Sequence, residues 1–279
     1  MQTLSTIKEV RSCVQQWRSK GESVAFVPTM GNLHAGHLSL MNKASEMANH
    51  VVVSIFVNPL QFNDAADYSN YPRTLEDDIV KLTASSVDMV FTPSESELYP
   101  KGREDTSLVT EPTLSSILEG EHRPGHFTGV TTVVSKFFNI VQPDFAVFGE
   151  KDYQQLHIIQ KMVADLNMPI EIIAVATSRE EDGLAMSSRN SRLDEQQRHT
   201  AAGIYSVMHE LRRQLLAGAK NFSQLEKNAI QQLNALGFES EYVVIRSAST
   251  LLKAQDKDNL IILLAARLGN TRLIDNLRI

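Results

Sequence analysis

The chain has 279 residues, 42% hydrophobic and 22% charged, enough to bury the core of one large domain or two modest ones. A formal charge of −6 argues against a broad nucleic-acid footprint, which needs a basic face, and leaves room for a local basic pocket that binds a nucleotide. Cys13 is the one cysteine, the first ten residues lack the apolar segment of a signal peptide, and the longest aliphatic run, 260–266, is too short to cross a bilayer. A soluble, cytoplasmic protein without membrane or nucleic-acid partners is therefore expected.

In chain order, Thr6 and Glu9 stand at the capping-box spacing of a first helix closed by Gly21, with Val10, Cys13, Val14 and Trp17 on its apolar side. Residues 24–27 predict a buried strand that Pro28 ends, Gly31 a turn, and Leu33, His37, Leu40, Met41, Ala44 and Ala48 a helix. Residues 51–57 predict a second strand, running into the polar loop Asn58-Pro59-Leu60-Gln61-Phe62. Then come a loop at 68–73, a helix at 74–86 capped by Thr74, a strand at 87–91, and a polar loop at 94–111. A short helix at 113–119, a striped helix at 130–141, a strand at 145–148, a helix at 153–166 and a strand at 170–176 follow. This alternation predicts a doubly wound, mostly parallel Rossmann-like α/β sheet over 1–176. After Thr177 the period changes: helices at 194–216 and 223–237, then strands at 241–246, 260–266 and 272–277, predict a smaller α+β domain over 177–279.

The chemistry concentrates at 23–40. His34 and His37 lie three apart at the start of a helix that follows a buried strand, and Gly36 between them lets a ligand approach the backbone. A helix N-terminus offers unpaired N–H groups and a positive dipole end, which suits phosphate, and two imidazoles beside it can donate to oxygens as their charge builds. A histidine near a helix start is often only a cap, and a zinc site would need a third ligand that does not stand nearby. The strand–turn–helix context favours a nucleotide site. Neither G-x-G-x-x-G nor G-x-x-x-x-G-K-[ST] occurs. Gly149-Glu150-Lys151-Asp152 follows a strand in the same way, with Lys151 as a point charge for phosphates. Met186-Ser187-Ser188-Arg189, past the flexible Gly183, is suited to close over a triphosphate. Gln61 and Gln155 can hold a hydroxyl and a carboxylate, and Asp77 and Asp152 are candidates for placing Mg²⁺.

These residues fall in runs that resemble the pantoate–β-alanine ligase family: Pro28-Thr29-Met30-Gly31-Asn32-Leu33-His34-Ala35-Gly36-His37, the 54–62 stretch, Tyr71-Pro72-Arg73-Thr74 and Arg123-Pro124-Gly125-His126-Phe127. The 148–155 and 182–190 stretches continue the series, and Arg272-Leu273-Ile274-Asp275-Asn276 resembles the family's last strand. The resemblance implies a two-step ligation with ATP as co-substrate and Mg²⁺ as cofactor: pantoate carboxylate attacks the α-phosphate, then β-alanine attacks the pantoyl adenylate. It implies ATP contacts from Met30, Gly31, His34, Gly36, His37, Gly149, Glu150, Lys151, Asp152, Ser178, Met186, Ser187, Ser188 and Arg189. His34, His37, Lys151, Ser187 and Arg189 would be catalytic, with His37 the proton donor. Gln61 and Gln155 would hold pantoate, Gln61 would also neighbour β-alanine, and the enzyme would be a homodimer; of the two candidate carboxylates read from the residues, Asp77 is the one expected to serve the metal. Ser178 departs from the apolar residue usual near the adenine. The competing readings are another His-x-Gly-His nucleotidyltransferase, a class I aminoacyl-tRNA synthetase fragment, disfavoured by the acidic charge, and a non-catalytic nucleotide sensor, which has little use for paired glutamines beside these donors.

Overall fold

A computed structural model describes residues 1–255 and 259–279. Six parallel strands, β1 (Gln2–Leu4), β2 (Val24–Thr29), β3 (His50–Ile55), β4 (Met89–Phe91), β5 (Phe145–Gly149) and β6 (Glu171–Val175), form one sheet in the order β1-β4-β3-β2-β5-β6. The pleat divides their side chains between two cores. Val24, Phe26, Val52, Met89, Phe91, Ala146 and Phe148 face the helices Ile7–Arg18, His126–Val141 and Tyr153–Asp165. Ala25, Val27, Val51, Val53, Val90 and Val147 face Ala35–Met47 and Leu75–Thr83. With both faces covered, the strands read as nearly continuous apolar runs.

The chain moves outward from β2 through β3 to β4, then returns to lay β5 on the other flank of β2. The order reverses between β2 and β5, and ligands of open α/β sheets bind beyond the carboxyl ends of strands at such a point. The loops after β2 and β5 carry Met30 to His37 and Gly149 onward.

Pro28 does not end its strand. It lies within β2, in register with Ser54 of β3. In a parallel ladder the N–H and C=O of one residue point the same way. Those of Val24 both engage Asp144, on the β5 side, whereas Thr29 O accepts from Phe56 N, on the β3 side. Alternation turns Pro28 toward β5, which pairs only with Ala25 and Phe26, so its missing N–H costs no ladder bond.

Other departures are local. β1 lacks any sequence signal and is held by register with β4. The loops expected at 68–73 and 94–111 overlap or contain the short helices Ala65–Ser69, capped by Asp64, and Glu95–Leu98, capped by Ser94. In place of a helix at 113–119 stand a 3₁₀ turn, Leu114–Ser116, and the helix Glu119–His122. The long helix expected at 194–216 is two, Glu195–Ala201 and Gly203–Leu216, meeting at Ala202.

The described chain divides into two compact units, 1–150 with 154–176, and 151–153 with 177–279. In the second, the antiparallel sheet β7 (Glu239–Ser247), β8 (Leu260–Leu268) and β9 (Thr271–Arg278) packs against Gly203–Leu216 and Phe222–Ala235 around Ile204, Met208, Leu233, Ile245 and Leu264. No helix among the described residues is long and apolar enough to cross a membrane.

Candidate active site

The loop after β2 is locked from below. Thr29 Oγ1 donates to Ser54 O at 2.7 Å and accepts from Gly31 N at 3.2 Å. Gly31 and Asn32 take positive φ values of 80° and 51°. The two N–H groups that follow this turn point inward to a fully buried carboxylate: Asn32 N donates to Asp78 Oδ2 at 2.8 Å and Leu33 N to Asp78 Oδ1 at 2.7 Å. Thr74 Oγ1 donates to the same Oδ2, and Lys81 Nζ donates to Leu33 O at 2.8 Å. Of the adjacent acids, Asp78 thus fixes the loop, while Asp77 is exposed on the first turn of its helix. The sequence signal was the helix period: Asp78 lies four residues before the buried Leu82 and shares its inward face.

His34 caps the helix Ala35–Met47, and its backbone N–H donates to His37 Nδ1 at 3.3 Å; the two rings lie 4.0 Å apart. An Nδ1 that accepts leaves the neutral imidazole's proton on Nε2, so His37 is set up as an Nε2–H donor at a helix N-terminus.

Gln61 sits on a 3₁₀ turn, Pro59–Gln61, after β3, and the helix His126–Val141 grips its backbone. His126 Nδ1 donates to Gln61 O at 2.7 Å, and Arg123 meets His126 Nε2 at 3.2 Å and Gln61 O at 3.4 Å. One tautomer satisfies all three contacts: Nδ1 protonated, Nε2 accepting from the guanidinium. The approach is close enough that a Cβ on Gly129 would lie 2.4 Å from Leu60 O. The Gln61 amide Nε2 reaches Met30 Sδ at 3.0 Å, joining the loops after β2 and β3. Of the two glutamines at 154–155, Gln154 is buried and structural, donating to Leu114 O and Ile117 O and accepting from Glu119 N. Gln155 is half-buried beside it.

In the second unit, Lys151 O accepts from Asn276 Nδ2 at 2.8 Å and Tyr153 OH donates to Ala248 O at 2.9 Å, tying 151–153 to the antiparallel sheet. Residues 178–186 double back on themselves through Met186 N to Ser178 O and the bridge between Arg179 and Ala185, so the backbone of Ser178 holds the strand leading to Ser187. Arg179 anchors this tongue with a bidentate pair to Asp275 at 2.7 and 3.0 Å and bonds to Gly183 O and Asn276 O. Burial raises the Asp275 carboxyl above the usual range, and the Arg179 guanidinium opposes that rise. Ser187 Oγ accepts from Arg189 N at 3.2 Å, leaving the hydroxyl proton as a donor; Met186, Ser188 and Arg189 flank it half-buried.

Among the described residues, no group of three or more His, Cys, Asp or Glu side chains is gathered to hold a metal ion. Asp77 and Asp152 are exposed. An open carboxylate fits Mg²⁺ delivered on a polyphosphate, which takes one or two carboxylates and keeps its waters.

A family model described as pantoate-beta-alanine ligase matches residues 2–278. A protein of Nitrosococcus oceani called pantothenate synthetase is 51% identical over 280 residues, covering 100% of this chain and 98% of its own. One of the same name from Shewanella piezotolerans is 52% identical over 278 residues, with 99% and 98% covered. The crystal structure of pantothenate synthetase from Thermus thermophilus superposes with a TM-score of 0.92 at 42% identity, covering 99% of each chain. A Francisella tularensis pantoate-beta-alanine ligase, complexed with beta-gamma ATP and beta-alanine, gives 0.85 at 37% identity, covering 100% of this chain and 97% of its own.

Proposed function

The chain belongs to the pantoate–β-alanine ligase family, and we infer on that premise that it joins (R)-pantoate and β-alanine to pantothenate at the expense of ATP. In the first step a pantoate carboxylate oxygen attacks the α-phosphorus and pyrophosphate leaves, giving pantoyl adenylate. In the second the β-alanine amine attacks the acyl carbon, loses a proton, and AMP leaves. The reading rests chiefly on one observation: the His34–His37 helix start lies at the reversal point of the parallel sheet, in a chain matched to the family over 2–278.

Adenylation piles charge onto phosphate oxygens, so its catalysis is positioning and electrostatic stabilisation. His37, with its proton on Nε2, and His34 donate to those oxygens; Lys151, Ser187 and Arg189 are the further donors proposed. Met30, Gly31, Gly36, Gly149, Glu150, Asp152, Ser178, Met186 and Ser188 complete the ATP contacts. Gln61 and Gln155 hold pantoate, and Gln61 borders β-alanine. Asp77 would be the protein carboxylate for a Mg²⁺ ion carried on ATP, and that ion would neutralise phosphate charge. A cytoplasmic homodimer completes the proposal.

Pantoate-dependent exchange of pyrophosphate into ATP, followed by pantothenate formation on adding β-alanine, tests the reaction. Exchange with other carboxylates and none with pantoate would overturn it. His34→Ala and His37→Ala should each slow exchange by about 10²–10³, the usual loss for one charge-stabilising donor. Near-normal exchange would remove those two roles.

A further inference from the structure

Tyr99, 41 positions along the chain from Asn58, is buried at the end of the helix Glu95–Leu98, and its hydroxyl lies 2.8 Å from Asn58 Oδ1. Asn58 in turn reaches Gly129 O at 3.0 Å and Gln61 Oε1 at 3.2 Å through Nδ2, and receives Leu60 N at 3.4 Å on Oδ1. The direction of this chain does not depend on how an amide is drawn. Gly129 O is a carbonyl and can only accept, so the Asn58 atom facing it must be the NH₂ group. The other proton of that group goes to Gln61, which must present Oε1 to it. Oδ1 of Asn58 is then left toward Tyr99, whose hydroxyl must donate. Gln61 is thereby turned with its Nε2 protons toward Met30 Sδ, a weak acceptor that an oxygen can replace.

We propose that Tyr99 is a positioning residue for the acid substrate, acting through Asn58 to hold Gln61 as a hydrogen-bond donor toward pantoate oxygen. The inference rests on the reading that Gln61 contacts pantoate and adds to it the polarity of that contact and the residue that sets it. A donor at this point selects for carboxylate or hydroxyl oxygen and against a substrate group that itself must donate, such as an ammonium. Burial, and then the Glu95 carboxylate, push the Tyr99 hydroxyl well above the usual phenol range, so it stays protonated throughout the working pH range. Its ring is packed independently of the hydroxyl, 6.3 Å from Phe56 and beneath Lys136 Nζ at 5.1 Å. Tyr99→Phe therefore removes the donor and keeps the packing.

The experiment measures pantoate and ATP dissociation constants by calorimetry, and KM and kcat in pyrophosphate exchange, for Tyr99→Phe, Gln61→Ala, Gln61→Glu and the Tyr99→Phe/Gln61→Ala pair. Tyr99→Phe should weaken pantoate by about tenfold, short of the roughly 10² that a 1 Å misplacement costs, with ATP affinity within twofold of wild type. That loss should vanish when Gln61 is already Ala, since nothing remains to be positioned. Gln61→Glu, which turns a donor into an acceptor, should bind pantoate more weakly than Gln61→Ala. If Gln61→Ala leaves pantoate binding unchanged, the assignment of Gln61 itself fails, and the inference with it. If Gln61→Ala weakens pantoate and Tyr99→Phe does not, or its loss persists in the pair, only the role of Tyr99 is overturned. Pantoate binding to Gln61→Glu equal to wild type would overturn the donor polarity, whatever the tyrosine variant does.

Discussion

Gly129→Ala adds one methyl group to a helix at the point where that helix carries the Gln61 turn. Its carbon would lie 2.4 Å from Leu60 O, 2.5 Å from Leu60 C and 2.6 Å from Gln61 N, and real Cβ contacts essentially never fall under 3.0 Å. All three obstacles are backbone, so no side chain can swing aside. Restoring an ordinary contact of 3.4 Å or more requires the turn to retreat by about 1 Å. Overpacking of this kind costs about 1–3 kcal/mol, offset by the roughly 1 kcal/mol by which alanine outdoes glycine within a helix. The net stability loss is therefore about 0–2 kcal/mol, a shift of a few degrees in Tm for a unit of this size. The functional loss is larger. If Gln61 reads pantoate as proposed, its displacement by about 1 Å costs roughly 10² in rate, so kcat/KM for pantoate should fall by about that factor while ATP affinity stays within a few-fold of wild type. Pantoate titration of the exchange reaction, with thermal unfolding alongside, measures both. A variant with wild-type kcat/KM for pantoate would refute the reasoning, because it would mean that the position of the 59–61 turn does not matter to the substrate.

Asp78→Asn replaces one of two acceptor oxygens with a donor facing a backbone N–H, at Asn32 or Leu33. Bonds to a charged group are worth about 1.5–3 kcal/mol, so Tm should drop and KM for ATP should rise; Asp77→Asn should leave Tm alone and change only the Mg²⁺ dependence, and the reverse pattern would exchange the two roles. Arg179→Met leaves the Asp275 carboxyl buried without its guanidinium, at a cost of about 3–5 kcal/mol that thermal unfolding reads directly. Asp275→Asn added to it should recover part of that loss, and no recovery would show that packing, not charge, is what Arg179 supplies.

The sequence made the sheet legible because buried parallel strands are apolar throughout and the intervening helices keep their stripe. It made the histidine pair and Gln61 legible as residues, because each stands directly after a strand. What it left hidden was whatever depends on partners far along the chain. Tyr99 meets Asn58 from 41 positions away, and Arg179 meets Asp275 from 96; no local pattern encodes such pairs. Pro28 was misread for a related reason. A proline is incompatible with a ladder only on the side where its N–H would be used, and that side is decided by how far β5 extends. The role of Asp78 beneath the loop after β2 was within reach of local information, since the helix period already turned its side chain inward.

A common polarity runs through the groups proposed for the reaction. The Nδ1 of His37 accepts from the His34 N–H, the Oε1 of Gln61 accepts from Asn58, and the Oγ of Ser187 accepts from the Arg189 N–H. In each case the internal bond is made by an acceptor, which fixes the opposite polarity on the group's other side: an imidazole Nε2–H, an amide NH₂, a hydroxyl proton. ATP, pantoate and the carboxylate of β-alanine all present anionic oxygen, so an arrangement that leaves donors is matched to every one of them. Such a chain can carry a formal charge of −6 and still bind anions, because short directed bonds outweigh a distant unfavourable field. The consequence is measurable. Attraction by a broad basic face is lost steeply as salt rises, whereas directed donors in partly enclosed loops are screened little. Raising ionic strength with an inert monovalent salt from about 0.01 M to 0.15 M shortens the screening length from about 30 Å to 8 Å. Across that range KM for pantoate should change by less than about threefold, and it should fall if anything, since the repulsion of the acidic surface is screened first. A tenfold rise in KM over the same range would mean that long-range attraction, not the donors of His37, Gln61 and Ser187, brings the anions in.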